Sequence, residues 1–171
     1  MSARYLQELR KAHLRGLWPS RRARQGRREA SVKAVVESAG GVASRVTLGA
    51  HELVFDQPSS VPGGENRGPS PLDVMAVAVG ACAHYFAAAF LQARKLSVEG
   101  LKVEVEAEKV REPQPRFGKL SIRVKVPVGV PDHYLPQIER VVRNCPAYGT
   151  LVHPPELELT FCREDAHAPA A

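Results

Sequence analysis

The 171-residue chain has only three cysteines. An odd, small number of thiols excludes a disulfide-stapled scaffold. No apolar run follows the N-terminus as a secretory signal would require, so an intracellular, reducing and cytoplasmic setting is expected. Aromatic residues make up 6%. The chain has no nucleophile-elbow GxSxG, no GxxxxGK[ST], no GxGxxG and no HExxH, which removes the usual support for serine hydrolases, P-loop enzymes, dinucleotide-binding domains and zincins. None of its thirteen glycines are three residues apart, so the GxxG clamp of a KH-type RNA module is missing as well.

An excess of positive charge is missing from most of the chain, although the net charge is +6. Residues 1–28 hold nine basic side chains against the single acid Glu8, and the rest holds fifteen bases against seventeen acids. The basicity belongs to an N-terminal arm, and the pI of about 9.5 says nothing about what the acidic body binds. In the arm, Tyr5, Leu6, Leu9, Ala12, His13 and Leu17 fall near one helical stripe that Pro19 stops, and the Arg-rich stretch at 20–28 has no period. Residues 1–30 are therefore read as a basic N-terminal helical extension. It is a solvated appendage, a helix packing on a partner subunit, or an arm for nucleic acid or anionic membrane. Neither of the last two partners is expected. An arm that bound nucleic acid would show affinity that falls steeply with salt and vanishes on deletion of residues 1–28.

What remains, with 44% apolar and 25% charged residues, suits one domain. At about 150 residues a fold hides roughly 68–70% of its unfolded surface and needs no staples. Val-rich runs at 31–38, 44–49 and 51–57, broken by Gly40-Gly41 and Gly49-Ala50, predict a meander of short strands. The loop at 58–69 carries three prolines and three glycines, which forbid regular structure. Ser70, Pro71 and Asp73 make a helix start. No breaker follows until about Lys95, so a helix of about 24 residues, roughly 36 Å long, is expected.

Val74–Leu91 contains no charge, the lower limit for a membrane span. Seven alanines, Gly80, His84 and Tyr85 make it only weakly lipophilic, and a helix apolar on all sides belongs in an interior or a subunit interface. No membrane is expected. Leu101, Val103, Val105 and Ala107 alternate with charged residues, as do Leu120, Ile122, Val124 and Val126. This predicts an antiparallel hairpin with a loop at 110–118 and opposite charges facing each other. Residues 131–143 read as a second helix ended at Cys145-Pro146, Glu156–Phe161 as a last strand, and 163–171 as a flexible tail.

Cys82 and Cys145 lie 63 residues apart, so any partnership between them is tertiary. Cys82, His84, Cys145 and His153 resemble a zinc ligand set only in composition, because residues two apart on a helix point about 200° away from each other. His84 is read as a core or interface histidine, and Cys162 as a bystander.

The stretch from Gly63-Gly64-Glu65 through Gly68-Pro69-Ser70-Pro71-Leu72-Asp73 to Gly80-Ala81-Cys82 resembles the loop-helix signature of the OsmC/Ohr family, the osmotically inducible and organic hydroperoxide resistance proteins. Asn144-Cys145-Pro146 and the segment ending Leu157-Glu158-Leu159-Thr160-Phe161 resemble its second cysteine segment and closing strand. The similarity spans residues 31–162 and points to the general OsmC-like branch. It implies an α+β fold with antiparallel sheets packed on two long helices in an intertwined homodimer.

The resemblance also implies a thiol-dependent peroxidase in which Cys82 attacks an organic hydroperoxide and Cys145 resolves the product as a disulfide. A dithiol of lipoyl type would be the reductant, and no metal, haem or flavin would be required. The alternative is a non-catalytic ligand-binding or interaction protein with the same fold. The family's best-characterised peroxidases activate the cysteine with an arginine held by a glutamate ten residues before it. Here that position is Leu72, the nearby acid is Asp73, and the candidate arginines are Arg45 and Arg67.

Overall fold

The computed structural model describes residues 31–163. The expected N-terminal helix, the basic linker and the tail from residue 164 lie outside the described residues. Three strands, β1 (Val35–Ser38), β2 (Ser44–Leu48) and β3 (His51–Phe55), form an antiparallel meander in chain order. The two sequence breaks at Gly40-Gly41 and Gly49-Ala50 are its turns. Val46 is the only strand residue of this sheet that is buried, and Val35, Val36 and Leu53 stay exposed.

Helix α1 (Pro71–Ala93) starts where its sequence says it should. Ser70 is extended, its Oγ accepts the Asp73 N–H at 3.3 Å, and Pro71 takes the first position, where a missing N–H costs nothing. Its end comes when Lys95 turns left-handed at φ 60° and the Leu96 N–H folds back onto the Leu91 carbonyl. By length and composition alone this helix could cross a membrane. Its buried stripe is nevertheless taken up by protein: Ala83, Ala87, Phe90 and Leu91 pack with Val130, Ile138 and Val142.

The hairpin of β4 (Lys102–Val110) and β5 (Arg116–Lys125) is in the register that the charge pattern implies, with Glu104 opposite Arg123 and Glu108 opposite Lys119. Lys125, then Lys102, hold the Glu104 carboxyl down at about 2. The inner residues Val103, Ile122 and Val124 lie against the core under α1.

Three sequence expectations change in the second half. The helix foreseen over 131–143 opens as a 3₁₀ turn at Asp132–Tyr134 and becomes α only at α2 (Leu135–Arg143). Pro136 has no N–H to return to Asp132, so the first turn closes tighter, through the Leu135 N–H. Pro146 ends one helix and begins another, α3 (Pro146–Val152).

The expected last strand, Glu156–Phe161, is not a strand. The segment runs without regular structure and leaves Leu157, Leu159 and Phe161 exposed. A strand requires a paired edge for its backbone groups, and this segment pairs with none among the described residues.

The seat of α1 on the hairpin depends on Gly80. A β-carbon there would come within 2.5 Å of Val105 Cγ2. Val105 is β-branched and cannot swing away freely. Gly80→Val is expected to cost about 1–3 kcal/mol by overpacking, and Val105→Ala in the same chain to recover part of it. Chemical denaturation of the two variants measures both numbers.

Candidate functional site

The approach to the cysteine helix is organised by one carboxylate. Asp56, directly after β3, is the only buried charged side chain among the described residues. It accepts the backbone N–H groups of Gln57 at 2.7 Å, Glu65 at 3.1 Å and Arg67 at 3.0 Å. These bonds, the Arg67 N–H foremost, hold the carboxyl below the ordinary value of 3.8 against the opposing effect of burial. The loop is thus folded around an anion that its own backbone donors satisfy. Its fit is tight: a β-carbon on Gly68 would clash with the Val54 carbonyl oxygen, so no other residue fits without moving the backbone.

From this loop the chain passes directly into α1. Asp73 accepts a hydrogen bond from Ser70 Oγ at 2.7 Å and forms an ion pair with Lys109 on β4 at 2.6 Å. Lys109 first, then Ser70, lower the Asp73 carboxyl. The acid nearest to the family's glutamate position, which Leu72 occupies, is thus engaged with a lysine. Arg67 is held elsewhere too, its guanidinium donating to the Ala39 carbonyl at 2.6 Å. Arg45 is exposed on β2, opposite Glu37 and Val54. No hydrogen bond or ion pair among the described residues joins either arginine to Cys82.

Cys82 is half-buried near the middle of α1, and Cys145 is 1% exposed at the junction of α2 and α3. Packing of Ile138 and Val142 against α1 brings that junction to the cysteine. Cys145 is also the N-cap of α3, its Sγ accepting the Tyr148 N–H at 3.4 Å. Burial pushes the Cys145 thiol up and the Tyr148 N–H pulls it down. The Cys82 side chain beside it pushes it up again, by hydrogen bonding and by charge. Two thiols 63 residues apart in sequence are therefore neighbours.

His84 lies around the helix from Cys82, as the 200° separation requires. It is exposed and lines an open groove of about 360 Å³ with Val77, Gly80, Ala81, Val103 and Val105. Cys162 is exposed on the unpaired closing segment. Asp56 is the residue that sequence reasoning missed. Its only signal was an acid closing an apolar strand just before a Gly/Pro-rich loop, where unpaired N–H groups need an acceptor.

Residues 63–160 match the family model of OsmC-like proteins, which is more than half of the chain. The chain belongs to the OsmC-like family. Solved structures carry the same fold at low identity. An OsmC-like protein from Mycoplasma pneumoniae aligns with a TM-score of 0.60 at 16% identity, over 74% of this chain and 89% of that one. An organic hydroperoxide resistance protein OsmC from Legionella pneumophila aligns with a TM-score of 0.55 at 18% identity, over 73% and 91%. An organic hydroperoxide resistance protein from Elizabethkingia anophelis gives 0.55 at 19% identity, over 71% and 89%. No curated protein matches the chain.

Within this OsmC-like fold, Asp56→Asn replaces one acceptor oxygen with a donor facing N–H groups. It is expected to lower Tm by several degrees at neutral pH. Because the folded carboxyl titrates below its unfolded value, its contribution is full above about pH 4 and is lost as pH falls through the folded value. The Tm gap between the two proteins should therefore close in acid, which thermal melts across pH 2–7 will check.

Proposed function

We propose that this OsmC-like protein is a thiol-dependent peroxidase that reduces organic hydroperoxides in oxidative-stress defence, with Cys82 as the peroxidatic residue and Cys145 as the resolving one. The observation that carries the reading is the juxtaposition of a half-buried thiol with a fully buried one. Cys82 is the sulfur that a substrate can reach. Its thiolate attacks the distal peroxide oxygen, the O–O bond breaks, and the alkoxide leaves and takes a proton to become an alcohol, which leaves a sulfenic acid on Cys82. Cys145 then attacks the Cys82 sulfur and expels water, and the disulfide that forms is reduced by a dithiol of lipoyl type.

Burial raises the Cys145 thiol, which suits it to the second step rather than the first, since the thiolate is the nucleophile. The alanine-rich surroundings of Cys82 favour fatty hydroperoxides over small polar ones. A cytoplasmic, reducing compartment fits a chemistry that must start from two free thiols.

The working unit in this reading is a homodimer. Helix α1 exposes Met75 and Val77, the meander exposes Val35, Val36 and Leu53, and the closing segment exposes Leu157, Leu159 and Phe161. So much apolar surface around one domain calls for a protein partner, and a second copy of the chain supplies one with matching faces. Sedimentation should give a particle of twice 18.6 kDa.

One observation favours a second reading, a non-catalytic OsmC-fold binding protein: neither Arg45 nor Arg67 forms a hydrogen bond or ion pair with Cys82, and Arg67 donates to the Ala39 carbonyl instead. Peptide mapping after one equivalent of an organic hydroperoxide decides between the two. The peroxidase reading expects a stoichiometric Cys82–Cys145 disulfide, formed faster with a fatty hydroperoxide than with hydrogen peroxide and absent from Cys82→Ser and Cys145→Ser. Unchanged thiols and unconsumed peroxide would sink it.

A further inference from the structure

The two sulfurs differ in access, and this bears on how the cycle closes. We propose that the reducing thiol attacks the sulfur of Cys82, and that Cys145 is always the leaving group. This rests on the disulfide of the peroxidase reading and extends it to the reductive half.

Thiol–disulfide exchange is an in-line displacement. The attacking thiolate must approach one sulfur along the axis of the S–S bond, from the side opposite the sulfur that leaves. Cys82 is half-buried and can be approached from solvent, whereas Cys145 is 1% exposed. The Cys145 sulfur is also engaged by the protein, because α3 begins there and the Tyr148 N–H donates to it at 3.4 Å. An approach to Cys145 would have to displace the protein that buries it. Access therefore directs attack to Cys82, although burial makes Cys145 the poorer leaving group of the two. The Tyr148 N–H offsets part of that handicap, since it already faces the sulfur on which negative charge develops.

The balance is simple. A thiolate of the dithiol donates its electron pair to the Cys82 sulfur, the Cys82–Cys145 bond breaks, and a mixed disulfide forms on Cys82. Cys145 leaves as a thiolate and takes up a proton. The second thiol of the reductant, as its thiolate, then attacks the reductant's own sulfur in the mixed disulfide. This releases the Cys82 thiolate and a cyclic disulfide, so that two electrons pass from the dithiol to the protein. Burial that favours protonation of Cys145 makes it slow to attack the mixed disulfide again, which gives the second thiol time to finish.

The test uses the full chain carrying Cys162→Ser, so that only two thiols are read. The Cys82–Cys145 disulfide is installed with diamide, independently of any peroxide. The oxidised protein is mixed with 2-mercaptoethanol, quenched in acid at early times, alkylated with N-ethylmaleimide and mapped by mass spectrometry. The expected result is the mercaptoethanol adduct on Cys82 and the maleimide on Cys145, in at least about tenfold excess over the reverse. In 6 M guanidinium, where burial is gone, the excess should fall to near unity.

An adduct mainly on Cys145, or equal amounts on both in the folded protein, overturns the proposal. So does a preference that survives denaturation unchanged, since it would then owe nothing to burial. Failure of diamide to bridge the pair also overturns it. If diamide bridges the pair and peroxide does not, the peroxidase reading fails while the mapping still decides which sulfur is attacked.

Discussion

The hairpin and the two short helices are arranged around a 23-residue helix that carries no charge between Asp73 and Arg94. Water cannot be left on all sides of such a helix, because each exposed apolar side chain forfeits the free energy that burial would release, about 25 cal/mol per Å². The hairpin covers one flank, α2 and α3 cover another, and each approach is close because the helix surface is built of small residues. Gly80 admits Val105, and Ala83 and Ala87 admit the apolar side chains of α2. The cysteine on this helix gains its neighbour as a consequence of this packing. Cys145 reaches it because Ile138 and Val142, about two turns and one turn before it on α2, are buried.

The same constraint explains what a single protomer leaves undone. A helix apolar on every side has more flanks than one hairpin and two short helices can cover, and Val77 stays 63% exposed. The closing segment has the alternation of a strand without an edge to bind, and the meander has apolar residues without a core beneath them. These are three instances of one deficit: apolar surface outnumbers the elements available to bury it. A second copy carries the same deficits, so pairing two chains would satisfy them together.

Legibility in the sequence followed the range of the interactions involved. Local signals were readable: Ser70, Pro71 and Asp73 marked the start of α1, and alternating charge marked the β4–β5 hairpin down to the facing of Glu104 and Arg123. The signature around Cys82 and Cys145 pointed to the OsmC-like family. Features that depend on what lies across space were not readable. Glu156–Phe161 has strand chemistry, but a strand exists only when paired. Pro146 was read as a stop when it is equally a start, and which one holds depends on whether the residue before it can cap. Here Cys145 can, with its sulfur. The burial of Asp56 was hidden for the same reason, since a loop's demand for an acceptor becomes visible only once its N–H groups converge.

That sulfur is where structure and the proposed chemistry press against each other. As a cap, Cys145 must stay near the Tyr148 N–H to satisfy the first turn of α3, a seven-residue helix with no buried side chain of its own. As a resolving thiol, it must move toward Cys82 until a bond of about 2.05 Å can form. The two demands use the same atom, and a helix this short has little else to hold its first turn. Serine at this position would keep the cap and abolish the bridge, and alanine would lose both, so the chain can combine the two functions only with cysteine. The cost is a buried thiol that ionises reluctantly. The cost is tolerable for the second nucleophile of the cycle, whose target is already beside it and whose effective concentration is set by the fold, and it would not be for the first.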